Sequence, residues 1–119
     1  MTECQVYQVI LFRKSVVIFV EYERGGGGSM CSFVGTGEEP RCVVEDVDAS
    51  PFKHPQYAGC KLLGTMKKDN VQEAWAACRE YIANEENKHE EVTDWCVAAA
   101  ALLETRGLVV AGQWWALPE

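Results

Sequence analysis

Basic residues are scarce in this chain, where 11 lysines and arginines stand against 18 aspartates and glutamates, for a net charge of −7. Binding to a nucleic-acid backbone requires clustered positive charge, so the sequence predicts no nucleic-acid partner. An acidic balance of this kind favours solubility, or contact with a basic surface on a partner.

Long apolar runs are also absent. The longest mainly apolar stretch, from Val6 to Val20, is interrupted by Gln8 and by three polar residues at 13–15. It is therefore too short and too broken to cross a bilayer as a helix. The first residues lack the basic and apolar regions of a signal peptide. We expect a cytoplasmic protein with no membrane partner.

Common metal and catalytic motifs are missing as well. The sequence has no Cys-x-x-Cys pair, no Gly-x-Ser-x-Gly and no His-Glu-x-x-His, which removes the strongest zinc, thioredoxin and hydrolase signals. Two of the six cysteines, Cys78 and Cys96, fall on apolar helix faces, where a reduced thiol acts as a small hydrophobe. The sequence predicts reduced thiols, no metal, no cofactor and no catalytic residue.

A glycine-rich segment at residues 25–29, Gly-Gly-Gly-Gly-Ser, precedes a methionine. Such a composition has no preferred backbone conformation and is typical of a flexible tether. We interpret residues 25–29 as an engineered linker that joins residues 1–24 to residues 30–119 within one domain (1–119). Three origins stay open: a circular permutant, a partner's strand pair tethered to its receptor, and a natural glycine loop.

The segment before the glycines predicts a β-hairpin. Residues 5–23 are rich in valine, isoleucine and aromatic residues, and the polar residues at 13–15 supply a turn. Tyr7, Val9 and Leu11 would share one face of the first strand, and the other face is apolar too. We therefore expect this hairpin at the centre of a sheet that is covered on both sides.

The remaining strands are shorter and less regular. Residues 30–40 are rich in turn formers and are expected to be mostly loop, as are residues 48–59. Short strands are predicted at 41–47 and 60–64, and a second hairpin at 108–117.

Two helices follow from apolar residues at three- and four-residue spacing. The first covers residues 70–84, with Asn70 as its N-cap and Glu73 in the capping-box position. The second covers residues 92–106 and ends at Gly107. Together these elements predict an α+β fold, in which an antiparallel sheet of four to six strands carries two helices on one face.

Without a convergent catalytic set, the sequence favours a non-enzymatic interaction module. We predict a small acidic inhibitor or adaptor that binds another protein through a sheet edge or through exposed aromatic side chains. The candidate aromatic residues are Trp114, Trp115 and Tyr22. A homodimer is a further option, and an uncovered apolar patch beside acidic residues would mark the contact surface.

A small-ligand-binding protein or enzyme is the alternative from another class. His54 is followed six residues later by Cys60. With Cys42 these residues would form a pocket between the sheet and the helices if the fold brings them together, as a nucleophilic or ligand-binding site requires.

One stretch resembles a known family. Pro-Gln-Tyr-Ala-Gly-Cys at 55–60, then Gly64 and Thr65, then Gln-Glu-Ala at 72–74, is similar to the Pro-x-x-Pro-Gly-Cys, Gly-x-Thr and Glu-Ala signature of HicB-type antitoxins. Ala58 stands at the second proline, and no residue separates Gly64 from Thr65. The resemblance implies a small β-β-β-α-β domain and an antitoxin-like regulator that inhibits a partner toxin.

Overall fold

The structure is a computed structural model that describes residues 3–11 and 15–111. Within these residues the chain forms five strands followed by two helices. The elements are β1 (Glu3–Leu11), β2 (Ser15–Glu21), β3 (Gly28–Gly35), β4 (Pro40–Val47), β5 (Tyr57–Lys67), α1 (Val71–Ala83) and α2 (Val92–Thr105). The strands make one antiparallel sheet in the order β4-β3-β2-β1-β5. The predicted α+β fold is confirmed.

The N-terminal ribbon, formed by β1 and β2, lies at the centre of this sheet. β1 and β2 pair in register, with Val6 opposite Val20 and Val9 opposite Val17, and all four side chains are fully buried. Central strands that are covered on both faces are apolar on both faces, as this ribbon is. The predicted strands are confirmed, and the turn between them lies outside the described residues.

The two faces of the sheet are covered by different parts of the chain. Both helices pack on one face, where the core includes Val6, Ile18, Phe33, Trp75, Trp95 and Leu103. On the other face, a 3-10 turn (Pro51–Lys53) places Phe52 edge-on against Tyr7 and Phe19, at ring centroid distances of 5.0 and 6.0 Å. Among the described residues, one face of the sheet therefore carries the helices and the other a short segment.

The helices have nearly the predicted extents, and Asn70 stands at the N-cap position of α1 as predicted, but its side chain does not cap the helix. Asn70 makes no side-chain capping bond because it belongs to a 3-10 turn (Lys68–Asn70) and already has helical backbone angles, φ −92° and ψ −3°. An N-cap side chain reaches the first turn from an extended backbone, so the capping-box prediction is wrong. At the C-terminal end of α2, Gly107 takes φ +75° and Leu108 N–H donates to Leu103 O at 2.9 Å, as expected of a glycine that ends a helix.

The glycine-rich segment is a structured turn, and the expectation of a flexible tether is wrong. Gly28 is the first residue of β3, so the predicted loop over residues 30–40 is also wrong as far as Gly35. A Cβ atom at Gly27 would lie 1.9 Å from Val47 O, and one at Gly28 would lie 2.0 Å from Val20 O. Glycines stand here because neighbouring backbone leaves no room for a side chain. An engineered origin stays a prediction, since the conformation does not bear on it.

The later strands differ from prediction mainly in length. β4 forms as predicted, whereas β5 starts at Tyr57 and covers 11 residues instead of the expected five at 60–64. Most of the hairpin predicted at 108–117 lies outside the described residues, which end at 111. Leu108 and Val109 are buried, and Val110 makes an isolated bridge to Thr65.

Candidate interaction edge

β4 is an edge strand, and within the described chain it pairs only with β3. At the end of this ladder, Thr36 N–H donates to Glu39 O at 3.3 Å. Because hydrogen-bonded pairs alternate with non-hydrogen-bonded pairs in an antiparallel ladder, the N–H and C=O groups of Cys42, Val44 and Asp46 point away from β3. These residues present three backbone donors and three backbone acceptors along the outer edge.

Acidic side chains surround this edge. Residues 38–48 carry five acidic side chains and one arginine, a net charge of −4 out of −7 for the whole chain. All six of these charged side chains are exposed: Glu38, Glu39, Arg41, Glu45, Asp46 and Asp48. The negative charge of the protein is therefore concentrated beside one sheet edge.

An exposed valine lies in the middle of the same strand. Val43 is 48% exposed and lies opposite Ser32, on the sheet face that does not carry the helices. The 3-10 turn covers Phe19 and Met30 on this face but does not reach Val43. In the part of the chain that the structure describes, the edge thus combines backbone groups without a strand partner, an apolar contact and negative charge, the features by which a sheet edge binds an extended peptide through strand addition.

An aromatic cluster fixes the turn between β3 and β4. Trp95 Nε1 donates to Gly37 O at 3.0 Å, and the Trp95 ring contacts Tyr81 and His89 edge-on, at 5.6 and 4.8 Å. Tyr81 OH and His89 Nε2 are joined by a hydrogen bond of 2.6 Å. The helix layer therefore holds one end of the candidate edge, a connection that the sequence did not predict.

The opposite edge of the sheet has a different character. Thr65 and Val110 exchange two backbone hydrogen bonds of 2.9 Å, so part of the outer edge of β5 is already paired. The charged side chains of β5 are Lys61 and Lys67, and the strand has no acidic residue. β4 is therefore the more open and the more acidic of the two edges.

The structure does not assemble the predicted pocket of His54, Cys60 and Cys42. Cys42 lies on edge strand β4 and packs toward the helices, whereas Cys60 lies on the other edge strand and is exposed on the opposite face. Four inter-strand spacings separate the two strands, roughly 19 Å. His54 lies beyond the 3-10 turn, and its Nδ1 accepts a hydrogen bond from Gln56 N–H at 2.9 Å.

A cavity of about 400 Å³ does adjoin His54, on the sheet face opposite the helices. Its walls are apolar side chains of β1, β3 and β4 and of the segment after β4, with Lys53 and Asp48 beside them. The lining includes Leu11, Met30, Val47, Ala49, Pro51 and His54. This cavity is not the predicted pocket, because it lies on the face opposite the helices and is lined by neither Cys42 nor Cys60.

Of the predicted binding aromatics, only Tyr22 lies among the described residues. Its ring is partly buried against the helix-side core, and Lys68 Nζ lies 4.6 Å from the ring centroid. Burial raises the pKa of its hydroxyl, and a hydrogen bond with Ser29 acts in the opposite direction. Tyr22 is thus part of the packing rather than a protruding contact. Trp114 and Trp115 lie outside the described residues.

Four thiols lie in the core between the sheet and the helices, those of Cys31, Cys42, Cys78 and Cys96. Cys31 on β3 donates a hydrogen bond to the Cys42 sulfur on β4, 3.4 Å away. The hydrogen bond with Cys42 lowers the pKa of Cys31, but a hydrogen bond with Cys78 and burial raise it to about 12. The hydrogen bond and burial raise the pKa of Cys42, and burial raises that of Cys96. In the described part of the chain, no group of three or more potential ligands is arranged to hold a metal ion.

Comparison of the chain with protein families, with curated proteins and with solved structures finds no match. The resemblance to HicB-type antitoxins does not extend to the fold, because two helices follow five strands here, instead of the β-β-β-α-β order. No helix in residues 3–11 and 15–111 is long and apolar enough to cross a membrane.

Proposed function

We propose that this protein is an acidic interaction module that binds a basic, extended segment of another protein as an additional strand along β4. The observation that carries the proposal is the outward-facing backbone of Cys42, Val44 and Asp46, set among residues 38–48 with a net charge of −4. Such a module acts as an inhibitor or an adaptor, according to what the bound segment does in its own protein.

Each feature of the edge has a separate role in this proposal. Backbone hydrogen bonds to the incoming strand supply affinity that depends little on its sequence. Val43 offers a contact for an apolar side chain, and Asp46, on the opposite face of β4, selects lysine or arginine. Glu45 adds negative charge beside Val43. The preferred segment therefore alternates apolar and basic residues.

The same charges disfavour self-association through β4. Two copies joined edge to edge would bring two segments of net charge −4 together, and charged edge strands are a common protection against such pairing. We therefore expect the partner at this edge to be a different, basic chain rather than a second copy.

Fluorescence anisotropy with two synthetic octapeptides tests the proposal. One peptide is four repeats of Lys-Val and the other four repeats of Glu-Val, and we expect only the first to bind. The double variant Glu45→Lys, Asp46→Lys should weaken binding about tenfold or more at low salt. The control Glu3→Lys, Glu104→Lys changes the net charge equally, at exposed sites on β1, three strands away from β4, and on α2.

The control variant should lose no more than about threefold in affinity, because distant charges are screened. Equal weakening by both double variants would mean that the peptide responds only to overall charge. That result, or equal binding of the two peptides, would overturn the proposal.

Binding of a small apolar ligand is a second candidate function, favoured by the cavity beside His54. Cavities of this size that are lined mainly by apolar side chains are typical of small-molecule sites. The probe is 8-anilinonaphthalene-1-sulfonate, whose fluorescence should rise on binding. Ala49→Trp should fill the cavity and abolish that rise, whereas Ala101→Trp, at an exposed position on α2, should not. Unchanged binding in Ala49→Trp would exclude this site.

A further inference from the structure

We propose that Cys31 and Cys42 form an oxidation site, at which a peroxide converts two thiols into a reversible disulfide between β3 and β4. The observation is the 3.4 Å separation of their sulfur atoms, with no bond between them. This site is independent of the proposed function, because it requires only the two thiols and the oxidant.

The register of the two strands places both thiols on the same face of the sheet, but not directly opposite each other. Cys31 lies opposite Val44 and Cys42 opposite Phe33, so the cysteines are diagonal neighbours, which are typically about 7–8 Å apart, beyond the range of about 4.4–6.8 Å between the Cα atoms of a disulfide. Forming the bond therefore requires a movement of β4 as well as of the two side chains. A disulfide holds its sulfurs about 2.05 Å apart, so they must approach by about 1.4 Å. β4 can accommodate this movement, because a strand at a sheet edge is paired on one side only.

Exposure decides which thiol reacts first. Cys42 is partly exposed, whereas Cys31 is 0% exposed and is covered by the helices. The positive charge of Arg79 acts on both thiols in the direction that favours thiolate. Cys60 is exposed too, but it lies at the opposite edge and on the opposite face of the sheet, out of reach of this pair.

The reaction proceeds in two steps. The Cys42 thiol releases its proton, the thiolate attacks one peroxide oxygen, and the O–O bond breaks. The departing hydroxide takes up a proton, so the products are a Cys42 sulfenic acid and water. The Cys31 sulfur then attacks the Cys42 sulfur, the S–O bond breaks and a second water leaves. Two thiols are thereby oxidised by two electrons while one hydrogen peroxide is reduced to two waters. A dithiol reductant reverses the cross-link by exchange.

The environment of the pair makes this reaction slow at neutral pH. Since the mutual hydrogen bond and burial raise the pKa of Cys42, most of its thiol stays protonated. The reactive species is the thiolate, so the rate should rise about tenfold per pH unit while the pH stays below the pKa. The site therefore responds to strong or prolonged oxidation and not to brief exposure.

Mass spectrometry of a Cys60→Ser variant tests the proposal without interference from the exposed thiol. Hydrogen peroxide at pH 8 should lower the mass by 2 Da, and a phosphine reductant should restore it. Trypsin cleaves after Arg41, which separates Cys31 from Cys42, so the two peptides should migrate as one linked species. Adding Cys42→Ser should abolish this species, and adding Cys78→Ser should leave it unchanged.

Three outcomes would overturn the proposal. The first is a cross-link through Cys78 instead of Cys42, and the second is sulfinic acid at Cys42 without a linked peptide. The third is an unchanged mass after an exposure much longer than the one that fully oxidises Cys60 in the unsubstituted protein. The peptide map of Cys60→Ser decides among these outcomes even if the Cys42→Ser variant folds poorly, because only the exposed thiol has been replaced.

Discussion

Trp75 Nε1 donates a 2.8 Å hydrogen bond to Ser29 Oγ, and both residues are 0% exposed. The bond joins α1 to the second residue of β3, which lies 46 positions earlier in the sequence than Trp75. Ser29 is the last residue of the glycine-rich segment, so this segment contributes directly to the core. A tether that buries nothing would leave the Trp75 indole without this acceptor.

Removing the acceptor should destabilise the protein. Ser29→Ala leaves a buried indole N–H unsatisfied, which costs about 1–3 kcal/mol of the free energy of unfolding, measured by urea denaturation. Ser32→Ala serves as the matched control, since its side chain lies on the opposite face of the same strand, away from Trp75. Equal urea midpoints for the two variants would refute the importance of the bond.

The glycines of the segment should not tolerate a side chain. In Gly27→Ala the new Cβ would lie 1.9 Å from Val47 O, so backbone must shift, and we expect a loss of about 2 kcal/mol or more. Gly59→Ala is the control, because nothing lies within 4 Å of a Cβ at that position. A flexible tether would accept Gly27→Ala as readily as the control, and that outcome would contradict the fold described above.

Stability should fall in alkaline solution. The folded-state pKa values of Cys31, Cys42 and Cys96 are raised, so above about pH 8.5 the unfolded state releases thiol protons that the folded state retains. The free energy of unfolding should then decrease by about 1.4 kcal/mol per pH unit for each such thiol. Cys96→Ala should reduce this slope in urea titrations at pH 8 to 10. A slope that is insensitive to Cys96 would disprove the assignment.

The thiols should also differ in reactivity toward alkylating reagents. Cys60 is the only exposed cysteine of the six, so iodoacetamide at pH 8 should label it first. Cys42 should follow slowly, and the four buried thiols should react only after unfolding. Peptide mapping over time would measure the order. Early labelling of Cys31 or Cys96 would show that the helices do not cover the thiol cluster.

Much of the fold could be predicted because it depends on local patterns. The spacing of Val71, Trp75 and Cys78 defines one buried face of a helix, and the apolar character of both sides of the ribbon places it inside a sheet. These features need only neighbouring residues, so the sequence alone is sufficient to find them.

The glycine-rich segment could not be predicted in the same way. Its composition is the same for a loose tether and for a tight turn, and the atoms that exclude a side chain belong to Val20 and Val47. The second of these lies about 20 positions further along the chain, so no local pattern indicates the contact.

The candidate site was predicted only in part. The strand at 41–47 is visible in the sequence, but its position at the sheet edge depends on strand order, which is a property of the whole fold. The contact between Cys31 and Cys42 could not be predicted, because the glycines and Pro40 of residues 30–40 favour a loop, whereas Cys31 lies on β3. The acidic residues of 38–48 are evident in the sequence, but the sequence does not show that they lie beside the outer edge of β4.

The most direct test of the β4 edge is hydrogen–deuterium exchange of its backbone amides, followed by NMR. The amides of Cys42, Val44 and Asp46 should exchange fast, and those of Val43 and Glu45, which face β3, should be protected. Adding the Lys-Val octapeptide should slow exchange at the first three amides. If the amides along β4 exchange alike, or if the peptide protects none of the first three, the interaction edge described here does not exist.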